Sequence, residues 1–272
     1  MFGVVNIFDY NCSHETNFGA DSIYHTYGKM TRSFSSINKK NKRNITMFCA
    51  GSTIGPARKP FYRDVQGCRK MLPRPFIHSL PNGTADSLLK KMFMSKFFQD
   101  VEDLALHFIF KIIPRSKQRT DIISAIEQCK KYVPSDLRIC NTFFTQISLI
   151  GEMKLCKGEH DISPHVDSDD IFTAIIHLGT PTCGGELLIY SGHSGKFPGC
   201  VLRHNKFKHG NIHMGTFTDI VHAVSPWYGT RGAFSLNLKS TVVNFFENNV
   251  NSHLYSSYVQ MGYPSENYFT VN

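Results

Sequence analysis

Between residues 171 and 238 the chain is cut into short blocks of β-branched, aromatic and aliphatic residues joined at glycines, a rhythm that few folds accommodate. Ile171-Phe172-Thr173-Ala174-Ile175-Ile176-His177-Leu178 has two-residue faces and predicts a strand. Gly184-Gly185 marks a turn before a second predicted strand, Glu186-Leu187-Leu188-Ile189-Tyr190. Residues 199–203 and 212–217 predict further strands. His222 sits in the alternating stretch 220–224, and Arg231 opens a last block that runs to Leu238. In that block, period-two geometry places Arg231, Ala233, Ser235 and Asn237 on one face and Gly232, Phe234, Leu236 and Leu238 on the other. Strands at this spacing predict an antiparallel sandwich or barrel.

Just before the first of these strands stands His165-Val166-Asp167. With 13 His and 21 acidic residues in the chain, about one His-x-Asp/Glu is expected by chance, so the tripeptide alone carries little. Its position before an alternating strand, with a further His222 on a later one, carries more. Two imidazoles and one carboxylate on a metal leave half of an octahedron vacant, the ligand set of the non-haem Fe(II) oxygenases. Arg231, on a polar strand face of a β-barrel, needs an anionic partner, and a carboxylate matches its planar fork.

Residues 142–240 resemble the catalytic core of the Fe(II)/2-oxoglutarate-dependent dioxygenase superfamily. The matching features are His-x-Asp before a strand, the Gly-Gly-Glu-Leu turn, the distal His222, and an Arg nine positions later within His-x-Val-x-Pro-x-x-x-x-Arg. The segment from His222 to Arg231 looks most like prolyl-hydroxylase-type sequences. The compact run from His165 to Gly179, leading into Gly-Gly-Glu-Leu, also resembles the TET/JBP oxygenases that oxidise bases in DNA. The resemblance implies a mainly β fold with supporting α-helices around a double-stranded β-helix, the jelly-roll or cupin-like core. It implies an enzyme, a dioxygenase that uses Fe(II), 2-oxoglutarate and O2, with ascorbate as a further candidate cofactor. The implied reaction is hydroxylation of an unactivated C–H bond, with decarboxylation of 2-oxoglutarate to succinate and CO2. His165, Asp167 and His222 would ligate the iron, and Arg231 would bind the distal carboxylate of 2-oxoglutarate. Where prolyl-hydroxylase-like enzymes carry a Tyr that assists this Arg, the chain has His177. Thr173, on the same strand face, and Ser235, on the Arg231 face, are further candidates for the cosubstrate pocket. The substrate expected is a protein side chain such as prolyl, or a nucleic-acid base of the TET/JBP type. A non-catalytic basic β-barrel that binds nucleic acid is the alternative.

Histidines 160, 177, 193, 204, 209, 213 and 253 are each expected to be structural or loop residues when taken alone. His209 and His213 could bind zinc, but the sequence offers no Cys-x-x-Cys or His-x-x-x-His partners. Asp169 and Asp170 are expected to be solvated loop carboxylates.

Charge separates the core from a second region. Residues 29–74 hold twelve Lys or Arg against Asp64 alone, a net of +11; the whole chain is +9, so the remainder nets −2. Phe34, Phe48, Phe61 and Tyr62 interleave with the basic residues, a pattern that can track phosphates and stack bases, or else a solvated basic arm. Four divisions are expected: a basic, partly flexible N-terminal region at 1–80, supporting helices at 81–135, the β core at 136–248 and a tail at 249–272, with 81–272 forming one domain. Apolar residues at three- and four-residue spacing predict a long amphipathic helix between Thr84 and Pro114, and a shorter one from about Thr120 to Tyr132. No run of 18 apolar residues predicts a membrane span, and the first residues lack the features of a secretion signal. The eight cysteines, without pairing signatures, are expected to be reduced thiols in an intracellular protein, cytoplasmic or nuclear.

Overall fold

The protein is described by a computed structural model covering residues 2–6, 47–53, 61–63, 69–71, 74–77, 97–150, 162–167, 169–190, 201–205 and 209–249. In chain order the elements are β1 (Phe2–Asn6), β2 (Met47–Thr53), β3 (Phe61–Arg63), β4 (Arg69–Met71), β5 (Arg74–Ile77), α1 (Phe97–His107), α2 (Lys117–Tyr132), β6 (Gln146–Ile150), β7 (Ile162–His165), β8 (Asp170–Gly184), β9 (Leu187–Tyr190), β10 (Val201–Asn205), β11 (Asn211–Gly215), β12 (His222–Val224), β13 (Trp227–Lys239) and α3 (Ser240–Asn249).

Two antiparallel sheets form the core. The larger has seven strands in the order β1-β11-β8-β13-β6-β2-β5, and the smaller four in the order β10-β9-β12-β7. Side chains of both sheets line one cavity between them. This is the antiparallel sandwich expected from the strand rhythm, mainly β and helix-supported, as the double-stranded β-helix implied by the resemblance requires. Three strands of the larger sheet come from the first 80 residues: β1 pairs with β11, and β2 bridges β6 and β5. The backbones of these strands extend the sheet at both edges. The side chains of the basic 29–74 stretch lie outside the described residues.

The period-two reading of β13 is visible in its packing. Phe234, Leu236 and Leu238 face outward, joining Phe172, Ala174, Ile176 and Leu178 of β8 in a buried cluster with the helices. Phe98 of α1 meets Phe234 edge-on at 6.5 Å between ring centroids. The opposite face of the sheet looks into the cavity, where Ile175, Ala233, Leu187, Val224, Phe217 and Trp227 make a smaller apolar cluster between the sheets.

α1 runs over the middle of the predicted long helix and then widens into a π-helical turn at Phe108–Ile112. The part of that prediction at 84–96 lies outside the described residues. α2 begins earlier than expected because Ser116 caps it, accepting a hydrogen bond from Arg119 N at 3.2 Å, and it ends ahead of Pro134. α3 was not anticipated: its Val242, Val243 and Phe246 are buried with α1 and α2, so the β character expected for all of 136–248 stops at Lys239. Among the described residues no helix is long and apolar enough to cross a membrane.

Candidate metal centre

His165 ends β7 and His222 begins β12, and the antiparallel ladder sets them directly opposite one another. Their rings lie 4.3 Å apart between centroids. Asp167 follows just past the end of β7, where its N–H donates to Phe217 O at 3.2 Å. That hold turns its carboxylate back toward both rings: Oδ1 is 3.7 Å from His165 Nε2, and Oδ2 is 3.7 Å from His222 Nε2. One ligand atom from each residue lies within 4.8 Å of the others. Among the described residues no other group of three or more histidine, cysteine and carboxylate side chains meets this condition.

His222 Nδ1 lies 3.0 Å from Ile220 O and donates to it, which leaves the Nε2 lone pair turned to Asp167. Such a bond on the far nitrogen fixes the tautomer a metal requires. Burial holds the His222 pKa below its ordinary value, against the opposing pull of the Asp167 carboxylate, so the ring stays neutral and able to ligate. Phe217 stands edge-on to it at 4.8 Å. His165 is the accessible member, with 41% of its side chain exposed against 5% for His222.

The triad lines a cavity of about 300 Å³, at the lower end of the range for small-molecule sites. Arg231 lines the same cavity while only 1% exposed. Its Nε donates to Gly185 O at 3.2 Å, its guanidinium carbon lies 4.8 Å over the Trp227 ring, and Nη2 sits 3.2 Å from His177 Nδ1. A guanidinium can only donate, so His177 accepts through Nδ1, and a neutral imidazole then carries its proton on Nε2. Neutrality is enforced: burial first, then His213 and Arg231, hold the His177 pKa well below 6.5. His213 stands perpendicular to His177 at 4.6 Å between rings.

Of the sequence-predicted residues, His165, Asp167, His222, Arg231, His177 and Ser235 all line this cavity. Thr173 does not. Its hydroxyl is taken up by Asn237 Nδ2 at 3.1 Å and by the Asp170 carboxylate at 3.4 Å, which cover it from the cavity. The larger correction concerns Asp170. Expected as a solvated loop carboxylate, it is 2% exposed, ion-paired with Lys239, and accepts from Asn237 Nδ2 at 2.6 Å. Burial pushes its pKa up to about 6, with Lys239 pulling the other way. Asp170, Asn237 and Lys239 line the cavity together with Gln146 and Ser148 of β6.

The donor set fits a non-haem iron centre: two imidazoles and a carboxylate, with cavity rather than protein on the remaining side. The buried guanidinium in the same cavity fits a carboxylate-bearing cosubstrate.

No family model and no curated protein match the chain. Among solved structures it is similar to IDO from Bacillus thuringiensis, with 11% identity over 87% of this chain and 91% of that chain, at a TM-score of 0.46. It is similar to NgTET1 in complex with 5mC DNA, with 16% identity over 78% of this chain and 66% of that chain, at 0.43. It is also similar to an oxidoreductase of the 2OG-Fe(II) oxygenase family from Burkholderia pseudomallei, with 14% identity over 60% of each chain, at 0.32. The chain thus spans slightly under two thirds of the second and third of these.

Proposed function

We propose that the chain is an Fe(II)- and 2-oxoglutarate-dependent dioxygenase that hydroxylates an unactivated C–H bond, with succinate and CO2 as coproducts. The observation that carries this reading is the presence of the His165–Asp167–His222 group and the buried Arg231 in one cavity. Iron and the keto acid, when bound, supply the activation of O2.

The chain's own residues have distinct tasks. His165, Asp167 and His222 hold the metal from one side and leave the other side open to the cavity. Arg231 binds the distal carboxylate of 2-oxoglutarate, with its fork aimed by Gly185 O, His177 and the Trp227 face. His177, protonated at Nε2, supplies a second donor in the place where prolyl-hydroxylase-like sequences have a Tyr hydroxyl. Ile175, Leu187, Val224 and Ala233 line the cavity with apolar surface that limits water. The substrate is a protein side chain such as prolyl or a nucleic-acid base, with the basic 29–74 region the feature that favours nucleic acid.

Anaerobic titration with Fe(II) and 2-oxoglutarate tests the activity. A weak visible charge-transfer band is expected, abolished by His165→Ala or Asp167→Ala. Absence of the band, or a band indifferent to both changes, would sink the oxygenase reading. Mass spectrometry of candidate peptides and oligonucleotides after turnover identifies the substrate class by the gain of one oxygen atom. Salt-dependent DNA or RNA binding that is lost on neutralising Lys39, Lys40, Lys42 and Arg43 supports the nucleic-acid option.

A further inference from the structure

Asp170 faces the cavity because the ladder slips. β8 and β13 pair Phe172 with Leu238 and then Asp170 with Lys239, so Ile171 is an extra residue on β8. One extra residue moves everything beyond it to the other face of a strand. Without the bulge, Asp170 would share the outward face of Phe172; with it, the carboxylate meets the donors of β13.

Those donors occupy it from both sides. One carboxylate oxygen is ion-paired with Lys239 Nζ; the other takes Asn237 Nδ2 at 2.6 Å and Thr173 Oγ1 at 3.4 Å. The backbone repeats the tie, since Ser240 N donates to Asp169 O at 2.8 Å; separately, Lys239 N donates to Thr145 Oγ1 at 3.1 Å, which fixes the end of β13 to the residue before β6. Asp169 between them has φ +70°, a left-handed conformation that a non-glycine residue adopts when its surroundings impose it. Only Ser168 and Asp169 separate this knot from Asp167.

A buried ion pair brings little net stability over an apolar replacement, because both charges lose their water. Its best-attested use is to fix a register. A carboxylate already satisfied by three side chains of its own fold is also poorly placed to take a substrate group.

We propose that Asp170, Lys239 and Asn237 are positioning residues that clasp the chain just after Asp167 to the end of β13 and thereby set the Asp167 carboxylate for the metal. The inference rests on the metal-dependent reading above. His165 and His222 are placed by the β7–β12 ladder, whereas Asp167 lies beyond the strand and depends on its loop. The clasp supplies the second end of that loop, as the hydrogen bond to Phe217 O supplies the first.

The test is anaerobic titration of the full chain with Co(II) alone, followed by its visible absorption, with the melting midpoint of the metal-free protein recorded in parallel. Asp170→Asn and Lys239→Met should weaken Co(II) affinity by about 10- to 100-fold and shift its absorption in chains that remain folded. Lys239→Arg, which keeps the cation, should recover most of the affinity. Co(II) affinity and spectrum unchanged from wild type would overturn the proposal, whether turnover falls or not; unchanged metal binding with weaker substrate binding would make Asp170 a substrate-reading residue instead. Should Asp170→Asn fail to fold, Asn237→Ala decides: weaker Co(II) binding supports the clasp, and unchanged binding overturns it. Failure of the wild-type chain to bind Co(II) would remove the metal reading and the clasp with it, whereas wild-type binding with indifferent variants removes the clasp alone.

Discussion

The carbonyl of Gly185 accepts a hydrogen bond from Arg231 Nε at 3.2 Å, and a β-carbon on that glycine would lie 2.9 Å from Arg231 Cδ. The turn therefore both holds the guanidinium and leaves room for its stem. Gly184 and Gly185 have φ of +75° and +80°, and a β-carbon on Gly184 would collide with Pro226 O at 1.8 Å. Gly185→Ala is expected to cost about 1–3 kcal/mol through its backbone conformation and to displace Arg231. The apparent dissociation constant for 2-oxoglutarate should rise about tenfold or more, while Fe(II) affinity stays within about twofold; one tenfold step corresponds to about 1.4 kcal/mol. Equal losses for both ligands would show that the turn supports the whole site rather than Arg231.

The two histidines of the triad should separate in metal-free stability though not in metal binding. His165 is exposed, so His165→Ala should change unfolding free energy by no more than about 0.5 kcal/mol. His222 is buried between Phe217 and the His165 ring and bonded to Ile220 O, so His222→Ala should cost about 2 kcal/mol or more. Saturating Fe(II) under anaerobic conditions should raise the wild-type melting midpoint, and a chelator should reverse it. At 100 times the dissociation constant the gain is about 2.7 kcal/mol. Either variant retaining the metal-induced shift would contradict its assignment as a ligand.

These contrasts show where sequence was legible. Strand alternation located β8 and β13, and period two identified the face of β13 that carries Arg231, Ser235 and Asn237 into the cavity. His177 was found the same way, two positions beyond Ile175 on β8. Asp170 was hidden because the bulge at Ile171 breaks the alternation that holds from Phe172 to Pro181 on that strand. An Asp in a polar loop gives no local sign that it will be buried; its partners Asn237 and Lys239 are more than sixty positions away. Thr173 failed for the converse reason: its face was read correctly, but the side chains that cover it come from the Asp170 network. α3 was missed because Val242-Val243-Asn244-Phe245-Phe246 is as consistent with a strand as with a short helix, and only packing against α1 and α2 decides.

His177 should make the fold acid-sensitive. Burial, His213 and Arg231 hold its pKa well below the ordinary 6.5, so the unfolded chain binds a proton there that the native chain refuses. The stability this contributes is present above 6.5 and is lost as pH falls below it, at a rate approaching about 1.4 kcal/mol per pH unit. Urea unfolding of the metal-free protein at pH 7.5 and pH 5.5 should show a smaller pH penalty in His177→Gln than in wild type. Parallel penalties would mean that the imidazole is protonated in the native state, and the Arg231 contact could not then be a donation to Nδ1.

Asp170 should act with the opposite sign. Its folded pKa of about 6 lies above the ordinary 3.8, so the native state binds the proton more tightly than the unfolded chain does. The associated stability is complete below 3.8 and is lost as pH rises through 6, a change of about 3 kcal/mol at the scale of 1.36 kcal/mol per unit. Asp170→Asn cannot titrate, so the stability advantage of wild type over the variant should itself fall between about pH 4 and pH 7, most steeply near about pH 5, midway between 3.8 and 6. The variant also leaves Lys239 without its carboxylate, which lowers stability by an amount that does not follow the same curve, so the pH dependence of the difference is the quantity to read. A difference that stays flat across this window would mean that Lys239 and Asn237 compensate the burial of the carboxylate in full, so that Asp170 titrates alike in the folded and unfolded chain.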